Sequence, residues 1–332
     1  MSSYVIPPVN LIGRGCVKSI GREAAKFQAR RALVIASFGA VGEAQAALVA
    51  SILKDSGVET VPFCRVMPNP TVAVVDEGLA LYRSSGCDLL VAVGGGSAMD
   101  AAKGIGLLAS NGGRIADYEG EDKAGKALPP FIAIATTAGT GSEVTQFAVI
   151  SDEEHNKLTL VDRYLAPNVS VNDPEMMASM PPSLTAATGM DALTHAVEAY
   201  VSRNSGPVTD AQAWKAIQLV AKNLPLAVRD GTDMNARENM CCASFLAGAA
   251  FNNAGLGLVH AMSHPLGGHC NLPHGLCNAL LLPVVCRFNT TLETLGRFSD
   301  IAVALGVGRS WRAERDNAEA GLRALFGLNR SL

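Results

Sequence analysis

Charge is scarce in this sequence, and long apolar runs are missing from it. Only 17% of its 332 residues are charged and the net charge is -3, so no overall field draws in nucleic acid or an anionic membrane surface. The most apolar stretches, 131–135 and 279–286, fall well short of the ~20 residues that cross a bilayer. The N-terminus lacks a basic segment followed by an apolar one and a small-residue cleavage site, which predicts a cytoplasmic chain. None of the eight cysteines forms a Cys-x-x-Cys pair. That argues against a zinc ribbon or a dithiol redox motif and predicts reduced thiols, mostly in the core, with Cys270 and Cys277 packing rather than ligating. Internal repeats and low-complexity linkers are also absent. What survives is a globular protein acting on small molecules.

Hydrophobic residues, at 48%, can fill a large core, and the length exceeds the ~100–200 residues typical of one domain. Two domains are expected. Up to about residue 180, short β-branched runs alternate with alanine-rich helical stretches, the pattern of β-α units around a parallel sheet. The clearest strands are 32–37, 89–93 and 131–135; their apolar character is nearly continuous, as burial on both faces demands. Beyond Pro181-Pro182, apolar residues recur at helical spacing instead, as at Ala213, Ile217, Val220 and Leu224. A double proline cannot continue a helix. The expected division is an α/β domain over 1–182 and a helical domain over 183–332.

The strand 89–93 runs into Gly94-Gly95-Gly96-Ser97, and a helix follows. Residues without side chains let backbone approach a pyrophosphate, and the free N–H groups at a helix start favour its charge. Ser97 is the expected cap of that helix, and Asp100 completes a capping-box-like pair or faces a ligand. A second segment, Thr136-Thr137-Ala138-Gly139-Thr140-Gly141-Ser142-Glu143, also follows an apolar strand and offers hydroxyls with little bulk, which suits nucleotide binding at strand ends.

In the second half, Asp191 and His195 stand four residues apart, on one face of a helix. His260 and His264 repeat that spacing, and His274 follows a loop; four of the six histidines fall between 260 and 274. Carboxylate and imidazole together suit ferrous iron, zinc, cobalt, nickel or manganese. A metal of this kind that keeps an open position can act as a Lewis acid on an alcohol oxygen, and a nicotinamide can accept the hydride.

Taken in order, Gly94-Gly95-Gly96-Ser97-x-x-Asp100, Thr136-Thr137-x-x-Thr140-x-Ser142-Glu143, Asp191-x-x-x-His195-x-x-Glu198 and His260-x-x-x-His264 with their neighbours closely resemble the iron-containing (group III) alcohol dehydrogenases, from about Val5 to the end. The resemblance implies a Rossmann-like dinucleotide-binding domain followed by an all-α metal-binding domain, the architecture of the dehydroquinate synthase-like superfamily. It implies Asp191, His195, His260 and His274 as ligands of one divalent metal, Fe(II) ahead of Zn(II). It places His264 beside the cofactor as a candidate proton relay. Near the dinucleotide it places Asn69, Gly96, Ser97, Asp100, Thr136, Thr137, Thr140 and Lys157, with Gly95 and Ser142 in the same turns. The expected activity is hydride transfer between a primary alcohol or diol and NAD, by a homodimer or higher oligomer.

Three departures from the pattern carry expectations of their own. Ser37 ends a strand where relatives often carry an acid that repels a 2′-phosphate, so NADP is also admitted. His269-Cys270 occupy a loop where relatives often have aromatics. Relatives also usually continue past Leu332 through further helices, so the helical domain is expected to be shortened and one pocket wall incomplete. The alternatives are a glycerol-dehydrogenase-like or dehydroquinate-synthase-like enzyme, or a non-catalytic assembly protein that keeps the metal and nucleotide sites as staples.

Overall fold

The alternation of apolar runs and helical stretches becomes a parallel sheet. The computed structural model describes residues 3–154, 156–270 and 272–332, with the side chain of residue 269 outside the description. It contains two compact units, one of residues 5–136 and 142–176, the other of residues 177–332 together with 3–4 and 137–141.

The first unit contains, in chain order, β1 (Val9–Ile12), α1 (Ile20–Lys26), β2 (Arg31–Ser37), α2 (Ala40–Asp55), β3 (Glu59–Val66), α3 (Val72–Ser84), β4 (Leu89–Gly94), α4 (Gly96–Asn111), β5 (Gly120–Glu121), β6 (Phe131–Ala135), β7 (Phe147–Ser151), β8 (Lys157–Val161) and β9 (Val169–Asn172). Six of these strands form one sheet in the order β1-β9-β6-β4-β2-β3, and every pair in it is parallel. The remaining β5, β8 and β7 make a small side sheet. Ala32 to Ala36, Leu89 to Val93 and Phe131 to Ala135 are all buried, which is why these central strands show no polar alternation. The strands that sequence reading passed over lie at the rim or are short. Thus β3 is an edge strand that tolerates Pro62, and β1 and β9 have four residues each.

The order also reverses beside β2. From β2 the chain crosses to β3 on one side, then returns past β2 to β4 on the other. In open parallel sheets the carboxyl ends of strands at such a reversal form the binding crevice. Ser37 ends β2 and Gly94 ends β4.

The second unit contains α5 (Pro182–Val201), α6 (Pro207–Arg229), α7 (Met234–Ala254), α8 (Leu258–Cys270), α9 (His274–Asn289), α10 (Leu295–Ala304) and α11 (Glu314–Ser331). Pro182 opens α5 at its first position, where a missing N–H costs nothing. Ala213, Ile217, Val220 and Leu224 are all fully buried, so the helical period did identify the inward face of α6. Among the described residues no single helix is long and apolar enough to cross a membrane. Cys277 is buried as expected, whereas Cys270 is exposed at the end of α8; helix termini lie at the surface even when the helix body packs.

Candidate active site

Asp191 and His195 sit one turn apart on α5, His260 lies in the first turn of α8, and His274 is the first residue of α9. The last placement depends on Gly275. A Cβ there would lie 2.1 Å from the carbonyl oxygen of Ala187 on α5, so only glycine lets the start of α9 come this close. The Nε2 atoms of His195 and His274 are each 3.6 Å from Asp191 Oδ1, and that of His260 is 3.9 Å away. One donor atom from each of the four residues lies within 4.8 Å of the others. Ligand atoms bound tetrahedrally at ~2.1 Å stand roughly 3.4 Å apart, so this donor set fits a single divalent ion. Asp191, His195 and His260 are buried, while the His274 side chain is 32% exposed. His274 therefore marks the side of the cluster open to solvent.

The ligand atoms are aimed by their neighbours. Glu198, one turn beyond His195 on α5, accepts from the Val259 N–H at 2.6 Å and lies 2.6 Å from His260 Nδ1. With Nδ1–H donating to that carboxylate, the His260 Nε2 lone pair is left facing Asp191. His195 Nδ1 lies 3.2 Å from the Gly139 carbonyl oxygen, and the His195 ring stacks on Phe251 of α7 at 4.3 Å. Asn278, one turn after His274, places Nδ2 2.7 Å from Asp191 Oδ1, 3.1 Å from His260 Nε2 and 3.2 Å from His274 Nε2.

Burial opposes the Asp191 charge, but the three histidines and the Asn278 amide outweigh it and hold the carboxyl below its ordinary pKa. Burial, then the neighbouring histidines, push His260 well below 6.5 against the pull of Asp191. An anionic carboxylate beside a neutral imidazole is the protonation state a metal requires.

His264 adjoins the cluster but is not one of its four converging donors. Its half-buried ring is 5.3 Å from that of His274 and 5.9 Å from that of His260. Sequence reasoning gave no role to Glu198, Asn278 or Phe251. Helical spacing held a signal for the first two, since Asp191, His195 and Glu198 share a face, as do His274 and Asn278; for Phe251 and the Gly139 carbonyl there was none.

In the other unit the glycine turn follows β4 as expected, but the helix starts earlier than the sequence suggested. Gly95 is the N-cap of α4 and no side chain caps it. Ser97 therefore stands inside the first turn rather than capping it. Asp100 likewise joins no capping box: its carboxylate accepts from Ser142 Oγ at 2.9 Å and from the Val149 N–H at 3.1 Å. Long-range partners won over the local one. Ser37, Gly95, Gly96 and Ser97 are half-buried at the ends of β2 and β4. The Thr136 N–H donates to the Gly94 carbonyl at 3.0 Å, so the two turns adjoin. Burial raises the pKa of Asp100, and the charges of Lys103 and of Lys157, which starts β8, oppose that shift. Asn69 is exposed in the left-handed region beyond β3, at φ 57°. Thr137 and Thr140 are half-buried within the segment that groups with the helices.

Below these turns lies a group that sequence reasoning passed over. Lys103 on α4 is fully buried, and its Nζ donates to the carbonyls of Ser142, Thr145 and Phe147 at 2.8, 2.9 and 2.7 Å. Burial lowers its pKa to about 8, although Asp100 and Glu143 oppose the shift. Burial raises Glu143 to about 7 despite a backbone hydrogen bond and the nearby lysine. Asp100 and Lys103, at i and i+3, thus clamp the segment after the hydroxyl-rich turn to α4.

The profile of iron-containing alcohol dehydrogenases matches residues 7–174, and that of the C-terminal part of the Fe-containing alcohol dehydrogenase family matches residues 185–332. The chain is 49% identical over 330 residues to alcohol dehydrogenase 4 of Schizosaccharomyces pombe, covering 99% of this chain and 77% of that one. It is 44% identical to the NAD-dependent methanol dehydrogenase of Bacillus methanolicus over 332 residues, 100% and 87% of the two chains. A crystal structure of 1,3-propanediol oxidoreductase superposes with a TM-score of 0.97 at 43% identity, covering 100% of this chain and 87% of that one. Both profiles and these relatives agree along nearly the whole sequence: the chain belongs to the iron-containing alcohol dehydrogenase family.

Proposed function

We propose that this chain carries out reversible hydride transfer between a primary alcohol or diol, with the aldehyde as the oxidised partner, and NAD. One divalent metal, Fe(II) ahead of Zn(II), is assigned to Asp191, His195, His260 and His274. The convergence of these donors within 4.8 Å carries the reading. When bound, the metal supplies Lewis acidity toward the substrate oxygen. The residues do the rest. Asp191 supplies the one negative charge among the ligands, Glu198 and the Gly139 carbonyl orient two imidazoles, and Phe251 covers the His195 ring and keeps water from it. Relatives named for an alcohol, methanol and 1,3-propanediol favour small substrates. They also favour hydride transfer over the dehydroquinate-forming and non-catalytic alternatives. The test is anaerobic reconstitution with Fe(II) or Zn(II), followed by a panel of short alcohols and diols with both cofactors. Lack of turnover across the panel with metal bound would sink the proposal.

His264 is assigned the substrate proton, which it passes toward the open side of the cluster beside His274. His264→Gln should lower kcat about 10-fold or more and flatten the pH profile while metal content stays at the wild-type level; an unchanged pH profile would remove His264 from this role.

The dinucleotide is assigned to Ser37, Asn69, Gly95, Gly96, Ser97, Asp100, Thr136, Thr137, Thr140, Ser142 and Lys157. The support is that Ser37, Gly95, Gly96 and Ser97 stand at the ends of β2 and β4 and that Thr136 to Ser142 follow β6, with Asn69 beyond β3 and Lys157 at the start of β8. Because Ser37 carries no charge, NADP is accepted as well. Ser37→Asp should cut kcat/KM for NADPH about 10-fold or more and spare NADH; equal losses for both would refute the assignment of Ser37 to the ribose. A homodimer or higher oligomer is inferred from the resemblance alone, and sedimentation velocity reads the oligomeric state directly.

A further inference from the structure

One contact at the metal cluster comes from main chain rather than from a side chain. His195 Nδ1 lies 3.2 Å from the carbonyl oxygen of Gly139. Gly139 belongs to Thr137–Gly141, which packs with the helices of the second unit. A Cβ on Gly139 would lie 2.6 Å from Thr188 Cβ and 2.7 Å from the Thr188 carbonyl oxygen, both on α5. A Cβ on Gly141, where φ is +62°, would lie 2.6 Å from Gly248 Cα on α7. Both glycines thus press the backbone of the segment against the helices. Between and beside them stand Thr137 and Thr140. The same five residues present hydroxyls assigned to the dinucleotide and, on their backbone, the acceptor that orients a metal ligand.

We propose that dinucleotide binding to Thr137 and Thr140 and metal binding at Asp191, His195, His260 and His274 are coupled through the Gly139 carbonyl, each tightening the other. The coupling rests on the dinucleotide reading above. Its cause is the tautomer and aim of His195. With the carbonyl in place, Nδ1–H has an acceptor and the Nε2 lone pair faces Asp191. When the segment moves, a buried N–H loses its partner and the ligand loses its orientation. Orienting partners of this kind are worth about 10–100-fold in metal affinity. A dinucleotide that immobilises the segment recovers part of that factor, and linkage requires the metal to tighten the dinucleotide by the same amount.

The experiment is a pair of titrations on chelator-stripped protein. Zn(II) affinity is measured against a competing chelator with and without NADH, and NADH affinity is measured by its fluorescence with and without Zn(II). NADH should tighten Zn(II) about 5-fold or more, with an equal reciprocal effect. Gly139→Ala, whose Cβ forces the segment away from Thr188 and so displaces the carbonyl from His195, should weaken Zn(II) about 10–100-fold while NADH still binds, and should abolish the mutual effect. Independent binding in the wild type overturns the proposal without any variant. Undiminished coupling in folded Gly139→Ala overturns the Gly139 route, since the two ligands then communicate directly. If NADH does not bind even the metal-loaded wild type, the dinucleotide reading falls and the proposal with it.

Discussion

Asp191→Asn should lower metal-dependent turnover by about 10³-fold or more, because the Lewis acid it holds is worth several kcal/mol at the transition state and each 1.36 kcal/mol is tenfold in rate. Asparagine keeps the volume and removes only the charge. Asp191 is the single anion among the four ligands, it is buried, and its Oδ1 lies within 4 Å of all three imidazole Nε2 atoms. Without it, three neutral imidazoles face a divalent cation. Because the folded protein holds this carboxyl below its ordinary pKa, losing the charge should also lower the stability of the metal-free protein at neutral pH. Metal should no longer stabilise the variant, whereas the wild type gains about 2.7 kcal/mol at a metal concentration 100 times Kd. Thermal unfolding with and without Zn(II), alongside metal content and turnover, reads all three quantities. A variant that retains metal and most of its turnover would remove Asp191 from the ligand set.

Lys103→Met should destabilise the first unit by about 3–5 kcal/mol, the range seen when one partner of a buried charged network is removed. Methionine fills most of the volume but donates nothing. The carbonyls of Ser142, Thr145 and Phe147 then lose the donor they share, and Asp100 and Glu143 lose a compensating cation. The pH dependence separates this from simple repacking. The folded pKa of Lys103 is about 8 against an ordinary 10.5, so between those values the unfolded chain holds a proton that the folded chain has released. Wild-type stability attributable to the lysine therefore rises with pH across that window. The deficit of the variant should widen from pH 8 to 10 in denaturant unfolding. A deficit below about 1 kcal/mol would mean that water replaces the ammonium at no cost.

The elements of this fold were legible where burial is continuous or helical. The strands at 32–36, 89–93 and 131–135 are fully apolar because they are buried, and the inward face of α6 follows the helical period. Short and rim strands such as β1, β3 and β9 have too few buried positions to stand out. The candidate ligands were legible because each helix offers its donors at helical spacing. The reading of Ser97 and Asp100 as a capping pair failed for a general reason. Local hydrogen bonds compete with distant ones, and the half-buried Asp100 carboxylate takes the partners that tertiary packing supplies.

The sequence by itself determined which residue types lie on which face. Helical spacing put Asp191, His195 and Glu198 on one side of α5, and put a glycine turn and a helix start after β4. Only tertiary structure decided which imidazole nitrogen faces Asp191, because the groups that decide it come from far along the chain. His195 is oriented by a carbonyl 56 residues away, His260 by a carboxylate 62 residues away, and Asp191 by an amide 87 residues away. Spacing along a helix specifies a direction for each side chain. The acceptor for a ring N–H is supplied by whatever packs against it, and no local propensity encodes that.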